Sequence, residues 1–415
     1  MQNAETQVSF LANRTYCVII NSTTKRTMKG DITTMADFET IHPNPEDDLS
    51  CPERITPFRT RTAKAWAAFT ASEARLRDLM DRAKTEDTGR ELITRCSEIL
   101  SAAFDGPAFE LGFNGKKYDL ILTPEGNRVR LFQLAYFAAH APEPVREHWN
   151  ILVGRTRSDN YIMRMHGLEV SAADFTVQTE ERSGKKLALS LYCEKLLPLL
   201  ETNENNAYSL AYILLDQVLG EIASMRYIDD VRLLSAPVGP EGFSLTGLPS
   251  FIETKIDPDG WSSSADPAAA CECYTGYQST PVMEEDAPLR ADVFAGMTCC
   301  LPLINAYFGG DDYYMDLLQP DGAVPGFLYW PLEGIGKNEI LPLRDRIEAG
   351  ILEKAGADAA TFTGGATGER YGYLDLIAWD FPAVIRAAKE VLAAAPLGQA
   401  FFRSFRRNAY SLTLK

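Results

Sequence analysis

The pair Asn114-Gly115 lies between two β-rich runs within residues 108–122. A type I′ turn needs positive φ at both central residues, and Asn-Gly adopts that turn more readily than other pairs. The sequence therefore predicts a strand, a tight turn and a second strand. Because the chain must reverse direction here, this hairpin constrains the placement of every neighbouring element.

Three further segments extend the hairpin into a larger unit. Residues 129–140 are apolar on nearly every side, which is typical of a helix buried between layers. The segment 149–153 predicts a third strand. Ahead of the hairpin, apolar residues fall at helical spacing over 90–104. The sequence therefore predicts the order α-β-β-α-β.

The C-terminal part of the chain predicts the same order again. The sequences Tyr118-Asp-Leu-Ile-Leu and Leu374-Asp-Leu-Ile-Ala occupy the same place in the two units. The predicted elements are helix 341–355, strand 359–363, turn 364–368, strand 371–379, helix 382–395 and strand 410–414. With a leading strand at 326–330, the second unit has the β-α-β-β-α-β order of ferredoxin-like folds. We expect an α+β protein with two α/β-sandwich domains, whose helices cover one face of each sheet.

The length of 415 residues favours two domains with separate cores. Within the first, the pattern also predicts a hairpin over 174–192 on the same sheet, a helix over 206–227 and a strand over 231–234. The predicted organisation is a poorly ordered N-terminal arm at 1–58, a first domain at 59–250, an acidic linker at 251–289 and a second domain at 290–415.

The linker is predicted from its composition. Prolines, glycines and serines interrupt any periodicity in 251–289, and its acidic residues have few basic neighbours before Arg290. Such a segment buries too little apolar surface to offset the entropy lost on ordering. The alternative is that Trp261, Tyr274 and Tyr277 pin the segment into a shared groove, so that both halves form one continuous fold.

The charge of the chain argues against nucleic acid as a partner. The formal net charge is −16, whereas binding phosphates requires concentrated lysine and arginine. The densest basic cluster is Arg403, Arg406 and Arg407, which fits a solvated helix face as well as an anion site.

The sequence also contains no signal-peptide pattern and no apolar run long enough to span a membrane. Eight cysteines in so long a chain are not a disulfide framework. We therefore expect a cytoplasmic protein with reduced thiols and no membrane partner.

Four cysteines raise the question of a zinc site, because four thiolates can complete a tetrahedral shell. They occur as Cys271-Glu-Cys273 and as the adjacent pair Cys299-Cys300. Zinc knuckles place two residues between paired ligands, and neither pair has that spacing. We therefore expect no metal at these residues, and nothing in the sequence indicates a cofactor.

A glycine-rich stretch is the candidate for anion binding, because glycines let backbone N–H groups approach a phosphate. Its candidate residues are Gly364, Gly365, Thr367, Gly368 and Arg370. Phosphate loops lead from a strand into a helix, whereas this stretch leads into a predicted strand. The alternative is a hairpin turn.

Carboxylates within apolar runs are the candidates for acid–base chemistry, and no Gly-x-Ser-x-Gly nucleophile motif is present. Asp119 alternates with apolar neighbours, so a solvent-facing or edge position is its alternative. Glu221 follows Gly220 within an apolar helix, and a structural ion pair is its alternative. The other carboxylates within apolar runs are Glu194, Asp216 and Asp375, of which Glu194 is the third candidate acid or base.

Several of these motifs together resemble a group of uncharacterised bacterial domains, some of which lie beside toxin systems as candidate immunity proteins. The motifs are Tyr118-Asp-Leu-Ile-Leu-Thr-Pro-Glu-Gly, a helix ending His140-Ala-Pro, Trp149-Asn-Ile-Leu-Val-Gly-Arg and Leu214-Leu-Asp-Gln-Val-Leu-Gly-Glu-Ile. The resemblance covers about residues 90–235 and carries no catalytic residue. It implies an acidic, cytoplasmic α/β protein that binds another protein.

The sequence thus leaves two functional classes open. The first is a protein-binding or immunity-like module without catalysis, which is the expectation that the charge and the resemblance favour. The second is a hydrolase or transferase that uses Asp119, Glu194 or Glu221 in a cleft between the domains.

Overall fold

The computed structural model describes residues 55–83, 85–158, 162–284 and 287–415, and it places 7–10 and 17–21 as strands. The chain divides into two compact units, each discontinuous in sequence. Unit 1 comprises Met1–Ile32, Ala68–Ile99 and Gly106–Cys271, and unit 2 comprises Thr33–Ala67, Leu100–Asp105 and Glu272–Lys415. The fold class is α+β, as the sequence predicts.

The α-helices are α1 (Phe58–Arg82), α2 (Gly89–Leu100), α3 (Arg128–Ala139), α4 (Glu143–His148), α5 (Leu197–Thr202), α6 (Glu204–Leu219), α7 (Glu221–Tyr227), α8 (Leu248–Phe251), α9 (Pro267–Cys271), α10 (Leu301–Gly309), α11 (Tyr313–Leu318), α12 (Ile340–Ala355) and α13 (Phe381–Ala394).

The strands are β1 (Gln7–Phe10), β2 (Cys17–Asn21), β3 (Phe109–Phe113), β4 (Tyr118–Leu122), β5 (Trp149–Val153), β6 (Ile162–Met165), β7 (Leu168–Ser171), β8 (Thr176–Arg182), β9 (Lys186–Tyr192), β10 (Ile228–Leu233), β11 (Phe243–Ser244), β12 (Thr275–Gln278), β13 (Val293–Thr298), β14 (Val324–Pro331), β15 (Ala360–Gly368), β16 (Tyr371–Ala378), β17 (Phe401–Ser404) and β18 (Leu412–Thr413).

A five-stranded sheet in the order β1-β2-β3-β4-β5 forms around the predicted hairpin in unit 1. The hairpin is confirmed, with Phe113 opposite Tyr118. Its turn differs from the prediction, because Asn114 caps it instead of adopting positive φ. The Asn114 side chain accepts hydrogen bonds from the backbone N–H groups of Lys116 and Lys117, and Gly115 supplies the positive φ.

The second sheet of unit 1 has four strands in the order β10-β9-β8-β11. The predicted hairpin over 174–192 is present as β8 and β9, but its assignment to the first sheet is wrong. Its inward residues, Val177, Leu187, Leu189 and Leu191, pack in one core with apolar residues of α6 and α8. Because period two places these residues on one face, the other face of the sheet is polar.

Gly220 divides the helix that the sequence predicts over 206–227. It has φ +84°, and its N–H donates to the Asp216 carbonyl at the end of α6. The following N–H, of Glu221, donates to the Arg155 carbonyl and begins α7. The prediction of one continuous helix is wrong, because this glycine turns the chain between two shorter helices.

Unit 2 contains a seven-stranded antiparallel sheet in the order β12-β13-β15-β16-β14-β17-β18. The element order β14-α12-β15-β16-α13-β17 agrees with the predicted β-α-β-β-α-β sequence. One face of the sheet packs against Leu343 and Ile347 of α12 and Val384 of α13. Three further strands extend the sheet, so assignment to the ferredoxin-like class stays a prediction.

At the end of the chain, the predicted strand 410–414 is confirmed only in part, and the helix face predicted for the basic cluster is wrong. The strand that follows α13 and pairs with β14 is Phe401–Ser404, not 410–414. Residues Leu412–Thr413 form only a short outer strand beside it. Arg403 therefore lies in a strand instead of on a helix face, and Arg406 pairs with Asp316.

The segment predicted as a linker, 251–289, is built into the two units, and their boundary falls after Cys271. Ile252 is buried in the core of unit 1, and Trp261 packs on Tyr227. The second part contributes β12 to the sheet of unit 2. Composition alone misled the prediction, because backbone pairing and a few aromatic contacts order a segment with few aliphatic residues.

The predicted N-terminal arm, 1–58, lies mostly outside the described residues. Its described parts are the strands Gln7–Phe10 and Cys17–Asn21, with β2 paired to β3, and residues 55–58, where Phe58 begins α1. Among the helices of the described part of the chain, none combines the length and the apolar composition that a bilayer crossing requires.

Candidate functional site

A buried arginine with three carboxylates lies at the centre of unit 1. Arg155 follows β5, and its Nε donates to Glu110 Oε1 on β3 over 2.6 Å. Its Nη1 lies 3.5 Å from Asp216 Oδ2 on α6 and 3.8 Å from Glu221 Oε2 on α7. We call these four residues the Arg155 cluster. It joins two strands of the first sheet to the two helices that meet at Gly220.

Glu221 receives several hydrogen bonds besides its ion pair. The Thr123 hydroxyl lies 2.9 Å and 2.8 Å from the two carboxylate oxygens. The backbone N–H of Gly126 donates to Oε1, and that of Arg155 donates to Oε2. Both oxygens of Glu221 are therefore engaged by groups of the chain itself, in agreement with the ion-pair alternative.

The Arg155 cluster is closed to solvent, since none of its four residues exceeds 6% exposure. Burial lowers the pKa of the Arg155 guanidinium, but the charges of Glu110, Glu221 and Asp216 outweigh that effect and raise it overall. The guanidinium therefore stays charged and neutralises part of the buried negative charge. The cluster is suited to holding elements together, because a substrate has no path to these carboxylates while the unit stays closed.

Asp119 lies in β4, between β3 and β5, and is 5% exposed. The solvent-facing or edge position that alternation suggests is wrong, because Asp119 is buried and β4 pairs with a strand on each side. Burial raises the pKa of the Asp119 carboxyl, and a 2.6 Å hydrogen bond from Asn150 Nδ2 partly offsets the increase.

Glu194 is exposed at the start of a single 3-10 turn, Glu194–Leu196. Asp119 accepts a hydrogen bond from Asn150, whereas Glu221 accepts from Thr123 and from the backbone N–H of Arg155. The Glu194 side chain forms no hydrogen bond with any of these residues. The three predicted acids are therefore not joined in one bonded constellation.

The glycine-rich stretch of unit 2 lies in a central strand, so its prediction as a turn is wrong. Residues Gly364, Gly365, Thr367 and Gly368 all belong to β15, which pairs with β13 on one side and β16 on the other. A loop with free N–H groups, on which the anion prediction depended, is not formed by these residues. Exposed Arg370 lies in the following turn and donates to the Met283 carbonyl.

The glycines are needed for close packing instead. A Cβ on Gly364 would lie 2.0 Å from the Met297 carbonyl oxygen, and Gly364 has φ +140°. A Cβ on Gly368 would lie 2.1 Å from Asp292 Oδ2. Neighbouring strands and side chains therefore approach this part of β15 more closely than any other residue type permits.

Sequence reasoning named Asp375 as a candidate carboxylate but missed its buried ion pair with Arg290 in unit 2. Both side chains are fully buried, and the guanidinium donates to Asp375 Oδ1 over 2.5 Å and to Oδ2 over 3.2 Å. It also donates to the Tyr277 hydroxyl. The rings of Phe327 and Tyr373 each lie 4.9 Å from the guanidinium carbon. The signal available in the sequence was that Arg290 is the first base after a long acidic stretch.

A second carboxylate, Asp292, supports the same region. Its Oδ1 accepts from the Tyr373 hydroxyl, and its Oδ2 accepts from the backbone N–H groups of Arg370 and Tyr371. Burial and the neighbouring Asp292 raise the pKa of Tyr373. The Arg290–Asp375 pair and Asp292 thus hold the turn between β15 and β16 and the start of β13.

One accessible feature of unit 1 is the outer surface of its four-stranded sheet. A depression of about 310 Å³ lies there. Six polar residues of its lining are called the polar sheet face here: Gln178, Glu180, Arg182, Ser190, Asp230 and Arg232. Glu180 pairs with Arg182, whereas Asp230 and Arg232 are exposed and make no ion pair within the described chain. This face offers hydrogen-bonding groups and both signs of charge to a partner.

The cysteines of the rejected zinc hypothesis have different surroundings. Cys299 and Cys300 are buried, and the Cys299 thiol donates to the Thr363 carbonyl. Cys271 is half-buried and Cys273 is exposed. Within the described ranges, no group of three or more histidine, cysteine or acidic side chains has the arrangement of a metal site.

Comparisons with protein-family models, with curated proteins and with solved structures found no match to this chain.

Proposed function

We propose that this chain is a protein-binding module that acts without catalysis, and that the polar sheet face of unit 1 is its binding surface. The observation that carries the proposal is the contrast in access between the acidic residues. Glu221 and Asp119 are 1% and 5% exposed and bonded within the chain, whereas Asp230 and Arg232 are exposed and form no ion pair with any residue that the structure describes. Charged groups available at an open surface favour recognition of another macromolecule.

The shape and composition of the face support a protein partner. It combines amide, hydroxyl, carboxylate and guanidinium groups on a β-sheet, and such mixed polar surfaces are typical of the rims of transient protein interfaces. The negative net charge of the chain disfavours nucleic acid. The resemblance to candidate immunity proteins suggests a bacterial toxin as the class of partner, which makes inhibition of that toxin the proposed activity in a bacterial cytoplasm.

The alternative is a hydrolase or transferase that uses Asp119 as its acid. The specific observation in its favour is the raised pKa of the Asp119 carboxyl. Substrate would have to reach a side chain that is 5% exposed in the middle of a sheet. We therefore rank this function second.

The experiment exchanges charges on the face without altering the net charge. The double variant Asp230→Arg/Arg232→Asp reverses the charges of two exposed residues of this face. The matched control, Arg164→Glu/Glu169→Arg, exchanges an exposed ion pair elsewhere in unit 1. Proteins captured by each immobilised chain are identified, and the captured partner is then purified for calorimetry.

We expect the face variant to weaken binding at least tenfold, or about 1.4 kcal/mol, while the control binds as the wild type does. Equal affinity of the wild type and the face variant for every captured protein would refute the proposed surface. Turnover of a substrate by the wild type that Asp119→Asn abolishes would favour the enzyme alternative.

A further inference from the structure

One edge of the seven-stranded sheet in unit 2 is formed by β12. This strand pairs with β13, and among the residues that the structure describes no strand pairs with its other side. The N–H of Ser279 donates inward to the Phe294 carbonyl, just beyond the end of β12. Because hydrogen bonding alternates along an antiparallel strand, the backbone groups of Gly276 and Gln278 point away from the sheet. Both residues are exposed, so these groups are accessible to another strand.

This edge lacks the charged residues that usually discourage pairing between sheets. No charged residue occurs over 273–283, although 24% of the whole chain is charged. In unit 1, the edge strand β10 of the four-stranded sheet differs in this respect, since it carries exposed Asp229, Asp230 and Arg232. β12 therefore lacks the exposed charged side chains that β10 carries at the edge of its sheet.

Exposed apolar side chains concentrate beside this edge. Ten large apolar residues are exposed in the described chain, and half of them lie within 274–297. They are Tyr274, Val282, Met283, Phe294 and Met297, with exposures from 40% to 55%. An apolar patch next to unpaired backbone groups is typical of a surface that another strand covers.

We propose that a second copy of this chain occupies this surface, by antiparallel pairing of its own β12 about a two-fold axis. One edge serves both partners, because an antiparallel pairing presents donors and acceptors to an identical strand. Pairing centred on Tyr277 or Gln278 brings Tyr274 of one copy opposite a position within 280–282 of the other. Apolar side chains at the two ends of the strand thus cover each other.

The distribution of charged residues also favours this edge for contact between two copies of the chain. Two chains with a net charge of −16 repel each other, so a contact is least opposed where the surface carries no charge. The uncharged segment 273–283 meets that condition. Exposed Glu272 and Glu284 lie just outside it, at its two ends.

The test measures the mass of the full-length protein by sedimentation equilibrium and light scattering from about 1 to 100 µM, at low and high sodium chloride. We expect a reversible dimer whose dissociation constant falls several-fold as salt rises from about 50 to 500 mM, because screening reduces repulsion between the acidic copies. Binding to a basic partner would have the opposite salt dependence.

Two variants address the strand itself. Gln278→Pro removes an outward N–H and leaves the inward bonds of β12 in place, and Gly276→Lys adds the charge that the edge lacks. A Cβ at Gly276 meets no atom closer than 3.9 Å, so the second variant should fold even if the first does not. We expect each to raise the dissociation constant at least tenfold. The control is Leu341→Lys, which replaces an exposed apolar residue on α12 and should leave the dimer unchanged.

A wild-type protein that stays monomeric at 100 µM and high salt would overturn the proposal. So would a dimer that persists undiminished in folded Gly276→Lys. The alternative occupant of this edge is a basic extended segment of another protein, and a Lys-flanked peptide of alternating Thr and Val is the probe for it. If this peptide binds the wild-type edge while no dimer forms, the surface is a binding site for such a segment. This outcome is independent of the polar sheet face in unit 1.

Discussion

Replacing Arg290 with methionine tests how much the buried ion pair contributes to unit 2. The variant leaves the carboxylate of Asp375, which is fully buried, without its counter-charge. Removing one partner of a buried pair costs about 3–5 kcal/mol, and each lost cation–π contact adds about 0.5–2 kcal/mol. Because such contributions are not additive, we expect a loss of about 4 kcal/mol in the free energy of unfolding. Arginine and methionine both have a Cβ, so the strain of the positive φ at position 290 is similar in the wild type and the variant.

The matched variant is Arg290→Met/Asp375→Leu, in which both charges are removed together. Replacing a buried pair by apolar residues is often nearly neutral, so we expect the double variant to recover most of the loss. Urea denaturation gives the free energies, and hydrogen exchange over β16 assigns the change to unit 2. For a unit of this size, the single variant should lower the melting temperature by about 10 °C. Equal destabilisation by the single and double variants would show that the lost stability does not come from uncompensated charge.

Two further predictions concern a glycine and an acid. Gly364→Ala should cost at least about 1–3 kcal/mol, because its positive φ is strained and its Cβ would meet the Met297 carbonyl, whereas Gly398→Ala, with no atom within 4 Å, should be nearly neutral in thermal unfolding. Folding raises the pKa of the Asp119 carboxyl. The protonated carboxyl therefore contributes to stability at low pH, and this contribution is lost as the pH rises from the unfolded pKa of about 4 through the folded pKa. Asp119→Asn should therefore flatten the pH dependence of unfolding over that range and keep the contact with Asn150; an unchanged profile would count against burial as the cause.

Local patterns were sufficient for most individual elements. Period-two alternation and turn residues predicted β8 and β9, and helical spacing predicted α2 and α12. These signals act between residues that are near in sequence, so each segment carries its own evidence. The same reasoning failed at 364–368, where glycines that normally mark a turn lie within a strand because Met297 and Asp292 approach them closely.

The sequence by itself determined the α+β class and the order of elements in both α-β-β-α-β units, because backbone geometry and side-chain periodicity are properties of adjacent residues. The tertiary structure decided which strands share a sheet and which charges meet. Arg290 and Asp375 are 85 residues apart, and Thr123 and Glu221 are 98 apart. No local pattern links such pairs, since the low dielectric of a buried site selects partners only after the chain has folded around them.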